Sequence, residues 1–159
     1  MKIQIRTDGE PGTKRLQVKF SKLAEGIKKR RPLFNRIGVQ MLNAIMLNFK
    51  EQGHEGTPLA PVSKFTIARR RKGPGAKKGR GRILEDTGEL RRSFAIEATD
   101  QSVRVGSPKI YAPTHEFGRG PIPKRPMLPS RARGLQIAVD VAESYTNELI
   151  ERAKLKGRK

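Results

Sequence analysis

The sequence predicts an α+β fold in which two long helices pack on a small antiparallel sheet, with a long basic loop. Apolar residues recur at helical spacing over residues 32–52 and again over residues 134–155. They alternate instead over residues 94–98 and 103–105, which is the spacing of a β-hairpin. Residues 69–82 contain eight basic residues, four glycines and no acidic residue, so they have little apolar surface to bury.

The first thirty residues predict a hairpin followed by a short helix. Ile3 and Ile5 alternate with polar residues, as do the apolar residues of 16–20. The stretch DGEPG, residues 8–12, joins the two arms with residues that favour tight turns. Residues 21–30 then carry enough apolar side chains for a short helix.

The first long helix is predicted over residues 32–52. Pro32 suits its first turn, where a missing N–H is no loss. Gly53 is the expected end of the helix, because glycine readily adopts the left-handed conformation. The apolar stripe consists of Phe34, Ile37, Met41, Leu42, Ile45 and Phe49. Such a stripe indicates core packing rather than a binding site.

Residues 53–82 predict a flexible basic excursion from the domain. The chain has 35 Lys and Arg against 15 acidic residues, a net charge of +20, and a charge of this size attracts polyanions. Residues 66–92 contain no aromatic side chain on which a base would stack, so a nucleic acid would be contacted through its phosphates. The candidate contacts to DNA or to acidic protein surfaces are Arg69, Arg70, Arg71, Lys72, Lys77, Lys78, Arg80 and Arg82.

A helix start, a hairpin and a second long helix are predicted after the basic stretch. In EDTGEL, residues 85–90, Thr87 or Asp86 is the expected cap. The turn TDQS joins the two strands of the hairpin. The apolar stripe of the final helix consists of Leu135, Ala138, Ala142, Tyr145, Leu149 and Ala153. The basic tail at 155–159 is expected to fray.

The octapeptide YAPTHEFG, residues 111–118, places His115 beside Glu116. A zinc-protease pattern would need a second histidine at position 119, which is Arg119. The only other histidine is His54, and the chain has no cysteine, so the sequence predicts neither a metal nor a cofactor. The clustered acids of EDTGEL fit a helix start better than acid–base catalysis. The protein is therefore predicted not to be an enzyme.

No apolar run approaches the length of a membrane span, and residues 1–12 lack the apolar core of a secretory signal. The sequence therefore predicts no contact with a membrane. The length of the chain, 159 residues, is most simply that of one domain.

The order of the motifs resembles the phage virion morphogenesis family, the tail-completion proteins of Mu-like and P2-like tailed phages. The resemblance covers about residues 32–129 and depends on ILEDTGELRRSF, then YAPTHEFG, then IPKRPML. Members of that family commonly carry Trp near the position of Leu59 and often Phe at the position of Met127. These are the two departures of this chain from the pattern.

The resemblance implies a single tail-completion-like domain over residues 1–159 with a structural role. Such a protein would act in the virion, at the neck where the tail meets the head, after assembly in the host cytoplasm. Its expected partners are further copies of itself in a ring, other neck, connector and tail proteins, and DNA through non-specific contacts. The motif residues expected to be structural or at an interface are Thr87, Gly88, Leu90, Phe94, Tyr111, His115, Phe117, Gly118, Pro123, Arg125 and Pro126.

The resemblance also answers what the octapeptide does. Tyr111, His115 and Phe117 are expected to pack in a turn or short helix, with His115 making a structural hydrogen bond. Gly118 is expected to end that helix in the left-handed conformation. The segment IPKRPML should then run extended, because residues before proline disfavour helix.

Two other classes of function are compatible with parts of the sequence. A non-specific nucleic-acid-binding protein of the ribosomal type would show the same charge, and would bind RNA tightly as a monomer with strong salt dependence. A phage nuclease or protease would need a metal site or an activated nucleophile, for which the sequence offers no motif.

Overall fold

The computed structural model describes residues 29–72 and 81–155. The predicted N-terminal hairpin lies outside these ranges, as does the predicted helix at 21–30 apart from its last two residues. The described part of the chain contains five helices and four strands. In order they are α1 (Arg31–Glu51), β1 (Gly53–His54), β2 (Thr57–Pro58), α2 (Lys64–Lys72), α3 (Glu89–Arg92), β3 (Ala95–Ala98), β4 (Val103–Gly106), α4 (Ala112–Phe117) and α5 (Arg131–Leu155). The predicted α+β class is confirmed.

The helix α1 confirms the strongest sequence prediction, with Pro32 in its first turn and Ile37, Ile45 and Phe49 buried. Its end differs from the prediction, because the left-handed residue is Gln52, with φ 56°, and not Gly53. The Gln52 side chain stabilises this conformation from both sides. Its amide nitrogen donates to the Phe49 carbonyl at 2.6 Å, and its amide oxygen accepts from the Ile83 N–H.

The predicted hairpin is also confirmed, as the antiparallel pair β3–β4 with Ala95 opposite Gly106. The helix α1 packs directly on it, and the close approach depends on Gly38. A Cβ added to Gly38 would lie 2.5 Å from Cγ2 of Ile96 and 2.9 Å from Cγ2 of Val103, so no larger residue fits there without movement. The second long helix, α5, packs mainly on α1 rather than on the sheet.

The core lies where α1 meets the motif segments. It consists of Ile45, Phe49, Leu90, Phe94, Ala112 and Met127. The rings of Phe49 and Phe94 meet edge to face with their centroids 5.9 Å apart, a favoured aromatic geometry. The segments ILEDTGELRRSF, YAPTHEFG and IPKRPML thus each contribute at least one side chain to one shared core.

The prediction of an unstructured excursion over 53–82 is wrong for β1, β2 and α2. The helix α2 has no apolar stripe to reveal it. Two local contacts hold it: the Ser63 hydroxyl accepts from the Thr66 N–H at 3.2 Å, and the Arg70 guanidinium donates to the Arg82 carbonyl at 2.8 Å. The helix α2 is therefore stabilised by a cap and one long side chain rather than by the burial of an apolar stripe.

The helix α5 begins three residues before its predicted start, because the Ser130 hydroxyl caps it by accepting from the Arg133 N–H at 3.2 Å. The predicted stripe is wrong at Leu135, which is 59% exposed, whereas Ile137 is buried. Near the other end, Glu148 pairs with Arg36 of α1 at 2.5 Å. Within the described ranges, no helix combines the length and apolarity that crossing a membrane requires.

Candidate functional site

A cleft of about 880 Å³ lies where the predicted motif residues converge. Its lining comes from four segments: residues 61–70 before and within α2, residues 84–90 at the start of α3, Tyr111 and His115 of the octapeptide, and residues 121–125. These segments are far apart in sequence. The fold therefore brings the basic helix and the motifs to one place.

The EDTGEL segment forms one wall of the cleft and begins α3 as predicted. The capping residue differs from the prediction, because Gly88 occupies the N-cap position with φ 76°. The Thr87 hydroxyl still contributes by accepting from the Glu89 N–H at 3.3 Å. Leu90 is buried in the core and also forms part of the cleft wall.

Each of the three acids in this wall contacts a basic side chain. Glu85 is buried and pairs with Arg82 and, at 3.2 Å, with Arg91. Asp86 lies 3.5 Å from Nε of Arg70, and Glu89 lies 3.2 Å from Nζ of Lys109. The segment is thereby linked to its neighbours through ion pairs, of which those of Asp86 and Glu89 lie at the exposed edge of the cleft.

The octapeptide forms α4, the short helix that was expected. Tyr111 and His115 meet edge to face, with ring centroids 6.3 Å apart. Phe117 is 73% exposed, so the expectation that it packs is wrong. Gly118 has a positive φ of 77°, but its ψ of 152° is extended rather than left-handed helical, which corrects the predicted termination. This conformation turns the chain back, so that the Arg119–Ile122 bridge can form.

Glu116 secures the segment that follows the octapeptide. Its carboxylate accepts from the N–H of Met127 at 2.6 Å and from that of Leu128 at 3.2 Å. Hydrogen bonds from N–H groups to a carboxylate are among the stronger ones in proteins. Glu116, which stands beside His115 in the octapeptide, therefore has a structural role.

His115 contributes through its backbone, whose carbonyl accepts from the Arg125 N–H at 2.7 Å. The expected structural hydrogen bond of its side chain is absent at Nδ1, which is buried with no hydrogen-bond partner among the described residues. Burial, and next the charge of Arg125, lower the pKa of the imidazole below its ordinary value of 6.5. Both effects disfavour the charged imidazolium.

Residues 125–130, which we call the strap, cross the molecule with neither helix nor strand, in keeping with the extended run expected from the prolines. Its backbone forms hydrogen bonds with side chains of α1 and the β1–β2 hairpin instead of with a neighbouring strand. Asn48 donates to the Met127 carbonyl at 3.0 Å, and His54 contacts the Leu128 carbonyl at 2.8 Å. Glu55 accepts from the Ser130 N–H at 2.8 Å. Each backbone N–H of the strap therefore donates to a partner.

Arg125 joins the strap to the cleft. Its Nε donates to the Ala60 carbonyl and its Nη2 to the Pro61 carbonyl, both at 2.7 Å. The side chain is 9% exposed. Burial, and next the charge of Arg70, lower its pKa. The neighbouring prolines differ, since Pro123 is exposed and lines the cleft whereas Pro126 is half-buried.

The two positions where the sequence departs from the family pattern are both buried. Leu59 is 7% exposed and Met127 is 3% exposed. The smaller side chains are thus packed in the interior.

The predicted basic residues that the structure describes lie in a helix and at the cleft wall, not in a loose arm. Arg69 and Arg70 line the cleft, and Arg71 and Lys72 lie on α2. Arg82 pairs with Glu85 and donates to the Phe49 carbonyl at 3.3 Å. Lys77, Lys78 and Arg80 lie outside the described residues.

Sequence reasoning missed the residues that bind the strap. Only Asn48 carries a signal in the sequence, as a polar residue beside Phe49 on the buried side of α1, where a polar side chain needs a hydrogen-bond partner. His54, Glu55 and Glu116 gave no such signal. In the described part of the chain, no three His, Asp or Glu side chains come together as a metal site.

The cleft and strap are thus built from the ordered motifs, which invites comparison with known families. The model of the phage virion morphogenesis family matches residues 12–146. This protein belongs to the phage virion morphogenesis family. Its role is accordingly in the morphogenesis of the phage virion, with which it is associated, and the family assignment indicates a structural role. We found no match to the chain among curated proteins or among solved structures.

Proposed function

We propose that this virion morphogenesis protein completes the end of the phage tail and supports head–tail joining, as a ring of identical copies. The observation that carries the proposal is the family match over residues 12–146, which includes every motif that forms the cleft and the strap. In this role the protein acts at the neck through contacts with connector and tail proteins, and it catalyses no reaction.

The chemistry of the motifs supports a structural role. Glu116 binds two backbone N–H groups of the strap, and the acids of EDTGEL contact basic side chains. A catalytic carboxylate would instead face a substrate with its proton affinity tuned for transfer. The polar groups of the motifs thus hold the fold together.

The surface of the two long helices supports association with other copies. Large apolar side chains on both helices are substantially exposed, namely Val39 and Leu47 on α1 and Leu135 and Val139 on α5. Single exposed apolar residues are ordinary on a monomer. Several of them on one helical pair, Ile150 of α5 included, in a protein that belongs to a virion-assembly family, favour burial between subunits.

Deleting the gene from the phage tests the proposal. We expect infected cells to accumulate filled heads and separate tails, visible by electron microscopy, and the purified protein to restore infectivity when it is added to the lysate. Formation of normal, joined virions without the protein would refute the role in joining. A monomeric mass for the protein extracted in its particle-bound form would refute the ring.

Binding to nucleic acid is the competing function, since the net charge of +20 favours it. Purified virions and infected-cell lysates distinguish nucleic-acid binding from the proposed role in head–tail joining. Protein that co-purifies with host RNA and is missing from virions would support the nucleic-acid function and contradict ours.

A further inference from the structure

Arg125 holds a positive charge in the interior that no carboxylate of the described residues pairs with. The side chain is only 9% exposed, and its two hydrogen bonds are to main-chain carbonyls. The third nitrogen, Nη1, has no partner in the described part of the chain. A buried charge of this kind is costly unless an opposite charge neutralises it.

The surroundings of Arg125 add to the positive potential. Arg70 is close enough to lower the pKa of Arg125, and Arg125 in turn lowers that of His115. All three side chains line the same cleft, and the buried Nδ1 of His115 has no hydrogen-bond partner there. Two acids also line the cleft, and neither pairs with Arg125: Asp86 lies 3.5 Å from Nε of Arg70, and Glu89 lies 3.2 Å from Nζ of Lys109.

The walls around this charged point are largely apolar. They include Leu84, Leu90, Tyr111, Pro121, Ile122 and Pro123. A cleft with a buried guanidinium and apolar walls suits a carboxylate whose neighbours are apolar, because both the charge and the flanking side chains find partners.

We propose that the cleft binds an acidic peptide segment of another virion protein, with an Asp or Glu carboxylate on Arg125 and apolar neighbours against the proline-lined wall. The inference that the source is a virion protein rests on the proposed function. The recognition of a carboxylate in the cleft does not.

Two observations select this occupant. Duplex DNA presents its phosphates on a broad, rigid surface, which does not reach a guanidinium that is nine-tenths buried, whereas a side-chain carboxylate on an extended segment does. A second copy of this chain is an unfavourable source of the acidic segment, because its 15 acidic residues are outnumbered by 35 Lys and Arg.

A displayed library of random octapeptides, selected on the full-length protein at physiological salt, tests the proposal. We expect selected sequences to place Asp or Glu beside Leu, Ile, Val or Pro. The best peptide should bind at least about tenfold more tightly than its Asn or Gln counterpart, as measured by fluorescence anisotropy. Its NMR shift changes should fall on residues that line the cleft.

Matched variants separate the cleft from the general charge of the protein. Arg69→Met removes a cleft charge without touching the strap, and it should weaken binding several-fold. Arg104→Met removes an exposed charge of β4 and should leave binding unchanged. Arg125→Met should abolish binding, and circular dichroism shows whether that variant is folded; Arg69→Met keeps the test valid if it is not.

Three results would overturn the proposal: selected peptides without acidic residues, equal loss of binding in Arg69→Met and Arg104→Met, or displacement of the peptide by a duplex oligonucleotide with a steep salt dependence. Failure of peptide binding together with unjoined heads and tails in the deleted phage would refute the cleft and leave the proposed function standing.

Discussion

The helices α1 and α2 form for different physical reasons. The 21 residues of α1 bury Ile37, Ile45 and Phe49, so tertiary packing stabilises the helix. Over residues 64–70 of α2 no apolar side chain is fully buried, and Phe65 near its start is 80% exposed. A serine cap and the reach of Arg70 hold α2 instead. The comparison teaches that α1 belongs to the core of the fold and α2 to the wall of a site.

The largest expected effect comes from Phe49→Ala in α1. The change removes a ring that is 2% exposed and packs edge to face on Phe94, so it should lower the free energy of unfolding by about 3–5 kcal/mol. Urea denaturation measures the loss. Phe65→Ala in α2 is the matched control and should change stability by less than about 0.5 kcal/mol. Similar losses in the two variants would contradict the comparison.

Two helical glycines give the next effect, with opposite signs. Gly38→Ala forces a Cβ to within 2.5 Å of Ile96 Cγ2 and should destabilise the protein by about 1–3 kcal/mol. Gly134→Ala in α5 meets only Met41 at 3.7 Å, so the helix propensity of alanine should stabilise it by up to about 1 kcal/mol. Thermal denaturation of the two variants measures both changes in stability. A Gly38→Ala variant more stable than the original protein would mean that α1 does not lie on the hairpin as described.

A smaller, local effect is expected from Arg70→Met. Loss of the hydrogen bond to the Arg82 carbonyl should release α2, so amide hydrogen exchange over 64–72 should quicken by about tenfold or more. Exchange over α1 should stay the same, and Arg69→Met should leave both helices protected. Faster exchange in α1 of the Arg70 variant would show that α2 is part of the core.

The smallest expected effect is a pH dependence that arises from His115. Because the folded pKa lies below 6.5, the unfolded chain binds the proton more readily, and stability should fall as the pH drops through that value. The dependence should disappear in His115→Leu. Glu55, whose pKa the Ser130 N–H lowers, acts in a separate window below 4.5. Unchanged pH dependence in His115→Leu would contradict a buried, neutral imidazole.

The same contrast explains how much of the fold the sequence predicted. Apolar residues recur at helical spacing in α1 and at every second position in the β3–β4 hairpin, so the sequence pattern indicates which face is buried. The few apolar residues of α2 lie among five basic ones, and that composition is the same for an exposed helix and for a loop. Its anchor, the carbonyl of Arg82, becomes a neighbour only in the folded chain.

The sequence predicted some of the residues that meet at the site, but not what each of them does. The motif order identified Leu90, Phe94, His115 and Arg125 without showing that two lie in the core and two face a cleft. The left-handed position after α1 was assigned to Gly53 because glycine adopts it most easily. The Gln52 amide, bonded to Ile83 across a long loop, gives that position to Gln52 instead. Such long-range hydrogen bonds leave no periodic trace in a sequence.

Cryo-electron microscopy of purified virions tests most directly whether this protein is a structural part of the tail end. We predict a ring of density at the head–tail junction into which several copies of the fold fit, each with its cleft against a neighbouring protein. Virions that are joined and infectious without any density or peptide mass for this chain would contradict the account.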